Sequence, residues 1–273
     1  MARILAVSSQ VVSGHVGLSA IVPALQRLGH EVLPLPTILL SNHPGQQRAS
    51  GTRIAPEVLS GMLATLGQNG RLDGIDAVLT GYLPSAPHVA IAINAIAQCR
   101  SKDQQPLVLC DPVIGDDPKG IYIEIEAAAA IRDQLVQMAD IVTPNRFELA
   151  WLTGSPVACT ATATAAAAKL RRPIIIATSI PFESNRLANV AVTPTNSDYV
   201  AVTRRTSAPN GTGDLLSALF LAAYLENDRK VVPALARATA AIEAVLSASN
   251  GHHELRLIQS QDDWLRQLVR SAN

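Results

Sequence analysis

The stretch PNGTGDLLSALF, residues 209–220, sets a turn made of Pro209, Asn210, Gly211 and Gly213 against an apolar run that begins after Asp214. Glycines let a backbone approach a ligand closely, and the first amides of a helix are unpaired and carry partial positive charge. Gly211, Thr212 and Gly213 therefore form a candidate anion site at the start of a buried helix. Asp214 has two readings. A carboxylate in a first turn is a good helix-start residue, but here it would also face any phosphate held by the Gly211–Gly213 amides, where a second negative charge is useful only as a proton acceptor. No GxxxxGK[ST] occurs anywhere in the chain, so a phosphate donor would be bound without a P-loop lysine.

Upstream of that turn, short β-branched runs alternate with segments of helical apolar spacing. RILAVS, HEVLPL, DAVLTG, PLVLCD, DIVTP, PIIIAT, NVAVT and YVAVT read as strands, and helices are expected around 17–28, 55–67, 86–100, 124–138, 146–152 and 160–170. The Ala-rich run within the last of these suits a helix better than disorder. Two long helical patterns then follow, LLSALFLAAYLEN and VVPALARATAAIEAVLSASN, and a charged amphipathic tail near 260–270. The alternation predicts an α/β fold: a central, mostly parallel sheet flanked by helices on both faces, with all 273 residues in a single domain.

Composition excludes several function classes. With 22 basic and 22 acidic residues and no basic block, no bulk attraction to nucleic acid or an anionic membrane surface is expected. Cys99, Cys110 and Cys159 are far apart and have no CxxC or His partner at ligand spacing, which argues against disulfides and structural zinc and fits a reducing cytoplasm. MARILAVS is too short for a signal-peptide core, and no apolar run is expected to reach the ~20 residues of a spanning helix. The expectation is a soluble protein.

Three long loops, 37–53, 111–123 and 203–213, fall where ligands bind in an open parallel sheet. CDPVIGDDPKGIY begins with Asp111 at a strand end, while Asp117 reads as a solvated turn residue. In PNRFE, Asn145 and Glu148 stand at capping-box distance. They also follow a strand end, so Asp111 and Glu148 could orient the waters of a magnesium ion bound to phosphates. His15 reads as a structural hydrogen-bonding residue, and Trp151 and Trp264 as packing.

SSQVVSGHVGLSAIVPALQRLGHEVLPLPTILLSNHPG, LTGYL, CDPVIGD, TPNRFEL and NGTGDLLSALF occur in the order and spacing of the pyridoxal kinases, and the chain resembles that branch of the ribokinase-like superfamily from about residue 4 to 250. GTGD alone says ribokinase-like; the GHVG segment with SNHPG points to a vitamin B6 kinase. Hydroxymethylpyrimidine kinases resemble it less, since they usually carry cysteine where this chain has Asp214. The resemblance implies a homodimer that transfers the ATP γ-phosphoryl group to the 5'-hydroxymethyl oxygen of pyridoxal, pyridoxine or pyridoxamine with Mg2+, and with a monovalent cation such as K+ as a further candidate.

By the same resemblance Asp214 is the base, and the Gly211, Thr212 and Gly213 amides stabilise the transferring group. Asp111, Thr143, Asn145, Glu148 and Thr178 lie around Mg-ATP, with Asp111 and Glu148 reaching the metal through water, and Asp116 and Tyr122 belong to a loop that closes over the phosphates. Ser9 meets the pyridine ring, with Val16, Ile38, Leu40, His43, Pro44 and Tyr82 around it. Departures from the family pattern fall at Gln10, Ser13, Leu40 (commonly aromatic), Pro44 (commonly threonine) and Thr178 (lysine in some bacterial relatives). They leave open a kinase of a related hydroxymethyl heterocycle, and a non-catalytic B6-binding protein on the same fold.

Overall fold

In the computed structural model, residues 1–101, 104–205 and 207–269 are described. Residue 206 of the 203–213 loop and residue 270 of the amphipathic tail lie outside them. All eight expected strands form: β1 (Arg3–Val11), β2 (Glu31–Leu40), β4 (Ala77–Thr80), β5 (Leu107–Cys110), β8 (Ile141–Val142), β9 (Ile174–Phe182), β10 (Arg186–Val192) and β11 (Ser197–Thr203). Three short ones are additional: β3 (Gly51–Arg53) and the hairpin of β6 (Gly115–Asp116) and β7 (Gly120–Ile121). The 37–53 loop is therefore shorter than expected, because β2 runs on to Leu40 and pairs with β3.

Among the described residues, nine strands make one sheet in the order β11-β10-β9-β8-β5-β4-β1-β2-β3. The six from β9 to β2 are parallel, and β3, β10 and β11 are antiparallel additions at the two edges. The order reverses at β1, whose neighbours β2 and β4 lie on opposite sides. A crevice opens at such a switch point, beyond the strand carboxyl ends.

Strand periodicity divides β1 between two cores. Leu5 and Val7 face one side, while Ile4 and Ala6 face the other, and all four are fully buried. The first face is covered by α2 (Pro56–Gln68), α3 (Ala86–Cys99), α6 (Arg146–Thr153), α7 (Thr160–Lys169) and the helical segment 125–138, which passes through a π turn at Ile131–Leu135 between α4 (Ile125–Ala130) and α5 (Val136–Met138). The second carries α1 (Leu18–Arg27), α8 (Thr212–Glu226), α9 (Val231–Ala248) and α10 (Gln261–Val269). Helix α8 is buried continuously from Leu215 to Tyr224, as an all-apolar helix must be. Truncating its fully buried Phe220 to alanine would cost ~3–5 kcal/mol.

By length and composition α9 could cross a membrane, although Arg237 and Glu243 interrupt its apolar run. Here it packs against α8, α10, β10 and β11, burying Leu235, Ile242 and Val245, because the sheet supplies the apolar partner that its composition demands. Trp264 is buried packing, with Nε1 donating to the Leu257 carbonyl at 3.0 Å.

Candidate active site

The carboxyl ends of β1, β4, β5, β8 and β9 bring Ser8 and Ser9, Gly81 and Tyr82, Asp111, Thr143 to Asn145, and Thr178 to one rim, where α8 also begins. Gly211 is the N-cap of α8 with φ 90°, and a Cβ there would lie 1.9 Å from the His15 carbonyl oxygen, so only glycine fits. No side chain caps this helix. Asp214 does not serve as the cap; its carboxylate accepts the Gly17 N–H from the loop that precedes α1. Burial pushes the Asp214 carboxyl up to about 6, with the Gly17 bond pulling the other way. A group poised there is charged at neutral pH and still basic enough to take a proton.

On one side of Asp214 lies a group of buried carboxylates. Asp111 is held well above the usual carboxylate range, first by burial and then by the charges of Glu148 and Asp214. Glu148, 2% exposed, is pushed up to about 7 by burial despite backbone N–H donors. Its Oε2 accepts from Asn145 N–H at 2.9 Å and the Asn145 side chain accepts from Glu148 N–H at 2.9 Å, which completes the expected capping box of α6. Its Oε1 accepts from Ile114 N–H at 2.8 Å. That second bond reaches a strained loop: Val113 has φ 44°, an outlier for a β-branched residue, so Glu148 helps hold a conformation that costs ~1–3 kcal/mol.

The loop 111–123 then folds back over the carboxylates. Tyr122 is 46% exposed as a residue, yet its phenol is kept protonated by burial and by the charges of Glu148, Asp111, Asp214 and Asp116. Asp116 is raised by burial too, and accepts from Asp117 N–H at 2.8 Å. Thr178 is half-buried and bridges Asn145, with its N–H on the Pro144 carbonyl at 2.9 Å. Burial pushes the Cys110 thiol, next to Asp111, up to about 12, which removes it as a nucleophile.

The other side is built from loops. Gly17 presses on Ser9: a Cβ there would sit 2.2 Å from the Ser9 Oγ. Val16 is buried, Ile38, Leu40, His43 and Tyr82 are half-buried, and Pro44 is exposed. His43 Nδ1 accepts from Gly45 N–H at 3.0 Å, and burial followed by Lys119 lowers its pKa. His15 donates from Nδ1 to the Ser19 carbonyl at 3.2 Å. That carbonyl would bond the N–H of residue 23, which is Pro23, so His15 does the structural work expected of it. A cleft of about 840 Å³ lies between residues 13–16, residues 43–47, Asn210 and residues 252–259.

Sequence reasoning passed over two residues here. Ser8 is fully buried, and its Oγ accepts the Tyr82 N–H at 3.0 Å, tying β1 to β4 across the switch point. Ser217 is buried one turn beyond Asp214 and donates to Asp111 Oδ2 at 2.9 Å. Its signal was present: it is the sole hydroxyl between Leu215 and Ala223.

Among the described residues no three His, Cys, Asp or Glu side chains are placed to grip a metal ion directly. The charges of Glu148 and Asp214 nevertheless raise Asp111, and such a group suits a cation that keeps its own waters, as magnesium does.

Comparison with known proteins bears on the same rim. A family model described as phosphomethylpyrimidine kinase matches residues 17–257. Pyridoxal kinase PdxY of Leifsonia xyli subsp. xyli is 34% identical over 268 residues, covering 95% of this chain and 94% of that protein. The chain belongs to the pyridoxal kinase family. Pyridoxal kinase architecture extends over the whole of it: the Entamoeba histolytica pyridoxal kinase structure superposes with a TM-score of 0.90 at 25% identity, covering 98% of this chain and 96% of that one. The Leishmania donovani pyridoxal kinase, solved with ADP and pyridoxine, gives 0.89 at 26% identity over 99% and 96%. The ribokinase-like α/β fold is thus that of a pyridoxal kinase.

Proposed function

We propose that this chain, acting as one kinase domain, transfers the γ-phosphoryl group of ATP to the 5'-hydroxymethyl oxygen of pyridoxal, with pyridoxine and pyridoxamine as further substrates. The observation that carries this reading is Asp214: a carboxylate raised to about 6, in the first turn of α8, next to the backbone amides of Gly211, Thr212 and Gly213. In the step, the hydroxymethyl oxygen attacks the γ-phosphorus, the bond to the β-phosphate oxygen breaks, and the hydroxyl proton goes to Asp214. The Gly211–Gly213 amides stabilise charge on the three peripheral oxygens. Ser9, Val16, Ile38, Leu40, His43, Pro44 and Tyr82 orient the ring. Asp111, Thr143, Asn145, Glu148 and Thr178 serve the nucleotide, and Asp116 and Tyr122 cover the phosphates and exclude water. Hydrated Mg2+, when bound, offsets phosphate charge, and Asp111 and Glu148 would hold its waters. K+ as an activator, a homodimeric assembly and a cytoplasmic setting extend the proposal, on the strength of the family resemblance.

The family model's description favours one competitor, a hydroxymethylpyrimidine kinase. A panel of pyridoxal, pyridoxine, pyridoxamine and hydroxymethylpyrimidine, scored by kcat/KM from ADP release with and without added K+, tests the choice. A B6 vitamer should lead by at least tenfold. A lead for hydroxymethylpyrimidine would replace the substrate, and ADP release unaffected by any of the four would leave only a binding protein.

A further inference from the structure

A serine inside an apolar helix needs a partner for its hydroxyl, and the usual one is the carbonyl four residues back. Ser217, 2% exposed, does otherwise. Its Oγ donates to Asp111 Oδ2 at 2.9 Å and lies 2.9 Å from Thr143 Oγ1. With its one proton directed at Asp111 Oδ2, Ser217 has only its oxygen left to offer Thr143, so in this arrangement the Thr143 hydroxyl donates to Ser217. The chain Thr143 to Ser217 to Asp111 joins the ends of β8 and β5 to α8, and crosses between the two in a site nearly closed to water. Ser217 also stands three residues after Asp214, on the same helix face.

We infer that Ser217 is a positioning residue for phosphoryl transfer: by engaging Oδ2 it fixes the Asp111 carboxylate relative to Asp214 and leaves Oδ1 as the oxygen available to the hydrated metal and phosphates. The inference rests on the proposed role of Asp111. The helix that carries the proton acceptor thereby also sets where the nucleotide-side charge sits, so the two ends of the reacting line move together. Thr143 acts behind it, orienting the Ser217 hydroxyl so that its proton points at Asp111.

The test measures Mn2+ binding to the enzyme–ADP complex by electron paramagnetic resonance, without turnover, beside kcat and KM for pyridoxal. Ser217→Ala should weaken Mn2+ by about tenfold, the low end of what loss of a ligand-orienting partner costs. It should lower kcat by a similar factor and leave KM for pyridoxal within twofold. Ser217→Thr, which restores the hydroxyl, should recover most of both losses. A cooperatively folded Ser217→Ala with wild-type Mn2+ affinity and kcat overturns the inference. Should that variant not fold, Thr143→Val decides: a two- to fivefold shift in the same direction supports it, and wild-type Mn2+ binding overturns it. Wild-type enzyme that turns over pyridoxal but binds no Mn2+ with ADP would remove the role of Asp111 and the inference with it, whereas absence of pyridoxal turnover would first remove the proposed function.

Discussion

The two sides of Asp214 are built differently. On the side proposed to hold the nucleotide, Asp111, Thr143, Glu148 and Ser217 are all buried at strand ends or in the first two turns of helices, and hydrogen bonds join β5, β8, α6 and α8 to one another. On the side proposed to hold the substrate, residues 44–50 are exposed, and the loop holds its shape by bonds within itself, such as Asn42 Nδ2 to the Arg48 carbonyl at 2.8 Å. A single long-range side-chain bond, Gln46 to Glu254 at 3.0 Å, ties its tip to the body among the described residues. Groups that must be placed to a fraction of an ångström sit on rigid elements, and groups that choose a ring sit on adjustable ones. Chemistry should therefore fail sharply when the first side is altered, and affinity should drift when the second is.

The largest effect is expected at the boundary. Asp214→Asn should lower kcat by ~10² to 10⁴, the range for losing a positioned base, while ADP still binds. The same change should raise the melting temperature above pH 6. The carboxyl is raised in the folded state, so the folded protein binds more protons than the unfolded chain between the ordinary carboxyl range and about pH 6, and stability falls as pH rises through that window. Asparagine removes that penalty. Near-normal turnover with an unchanged melting temperature would reduce Asp214 to a helix-start residue.

Next in size is Glu148→Gln, a break within the rigid side. Glutamine keeps one accepting oxygen and turns the other into a donor, so it cannot accept from both Asn145 and Ile114–Gly115 as the carboxylate does, and either the capping box or the strained Val113 turn loosens. The half-saturating magnesium concentration should rise by about tenfold or more, and loss of the cap should cost ~1 kcal/mol in a denaturant melt. A magnesium titration that superposes on wild type would assign Glu148 to the helix cap alone.

How far these features could be read from sequence follows from the same contrast. The eight expected strands and the helices were legible because most carry their own periodicity or apolar run, and even the two-residue β8 lies in DIVTP, bounded by Asp140 and Pro144; NGTGD was legible because glycine spacing and a following apolar run are local signals. Strands β3, β6 and β7 were not, since GTR, GD and GI are glycine-bearing pieces of loops without an apolar run of their own, and their pairing comes from loop closure. Gly17 and Gly81 hide their purpose for another reason: they are small because Ser9 and Ser8, both on strand β1, come within 2.2 Å and 2.5 Å of where a Cβ would be. Ser217 drew no reading of its own, because only the fold places Asp111, 106 positions away, beside it. Asn145 and Glu148 offered two readings, cap or ligand-side group, and the capping box that forms leaves the same carboxylate at the site rim.

The smallest effect belongs to the loop side. Leu40→Phe with Pro44→Thr should lower KM for pyridoxal by a few-fold with kcat little changed, since an aromatic contact and a hydroxyl are each worth ~0.5–1.5 kcal/mol of uniform binding. Leu40 is half-buried and Pro44 exposed, so most of the gain should come from Leu40→Phe alone. Weaker pyridoxal binding in a normally folded double variant that keeps its affinity for another ring of the panel would mean that the pocket is shaped for that ring.

The central claim, that Asp214 takes the proton, is tested most directly by the pH profile of kcat/KM for pyridoxal between pH 4.5 and 8. Because the acceptor must be ionised, kcat/KM should rise with pH, reach half its plateau near 6, and level off above that value. The limb should persist in Glu148→Gln, whose own carboxyl is gone. A profile flat across the range, or a limb that disappears with Glu148 and remains with Asp214→Asn, would contradict the assignment.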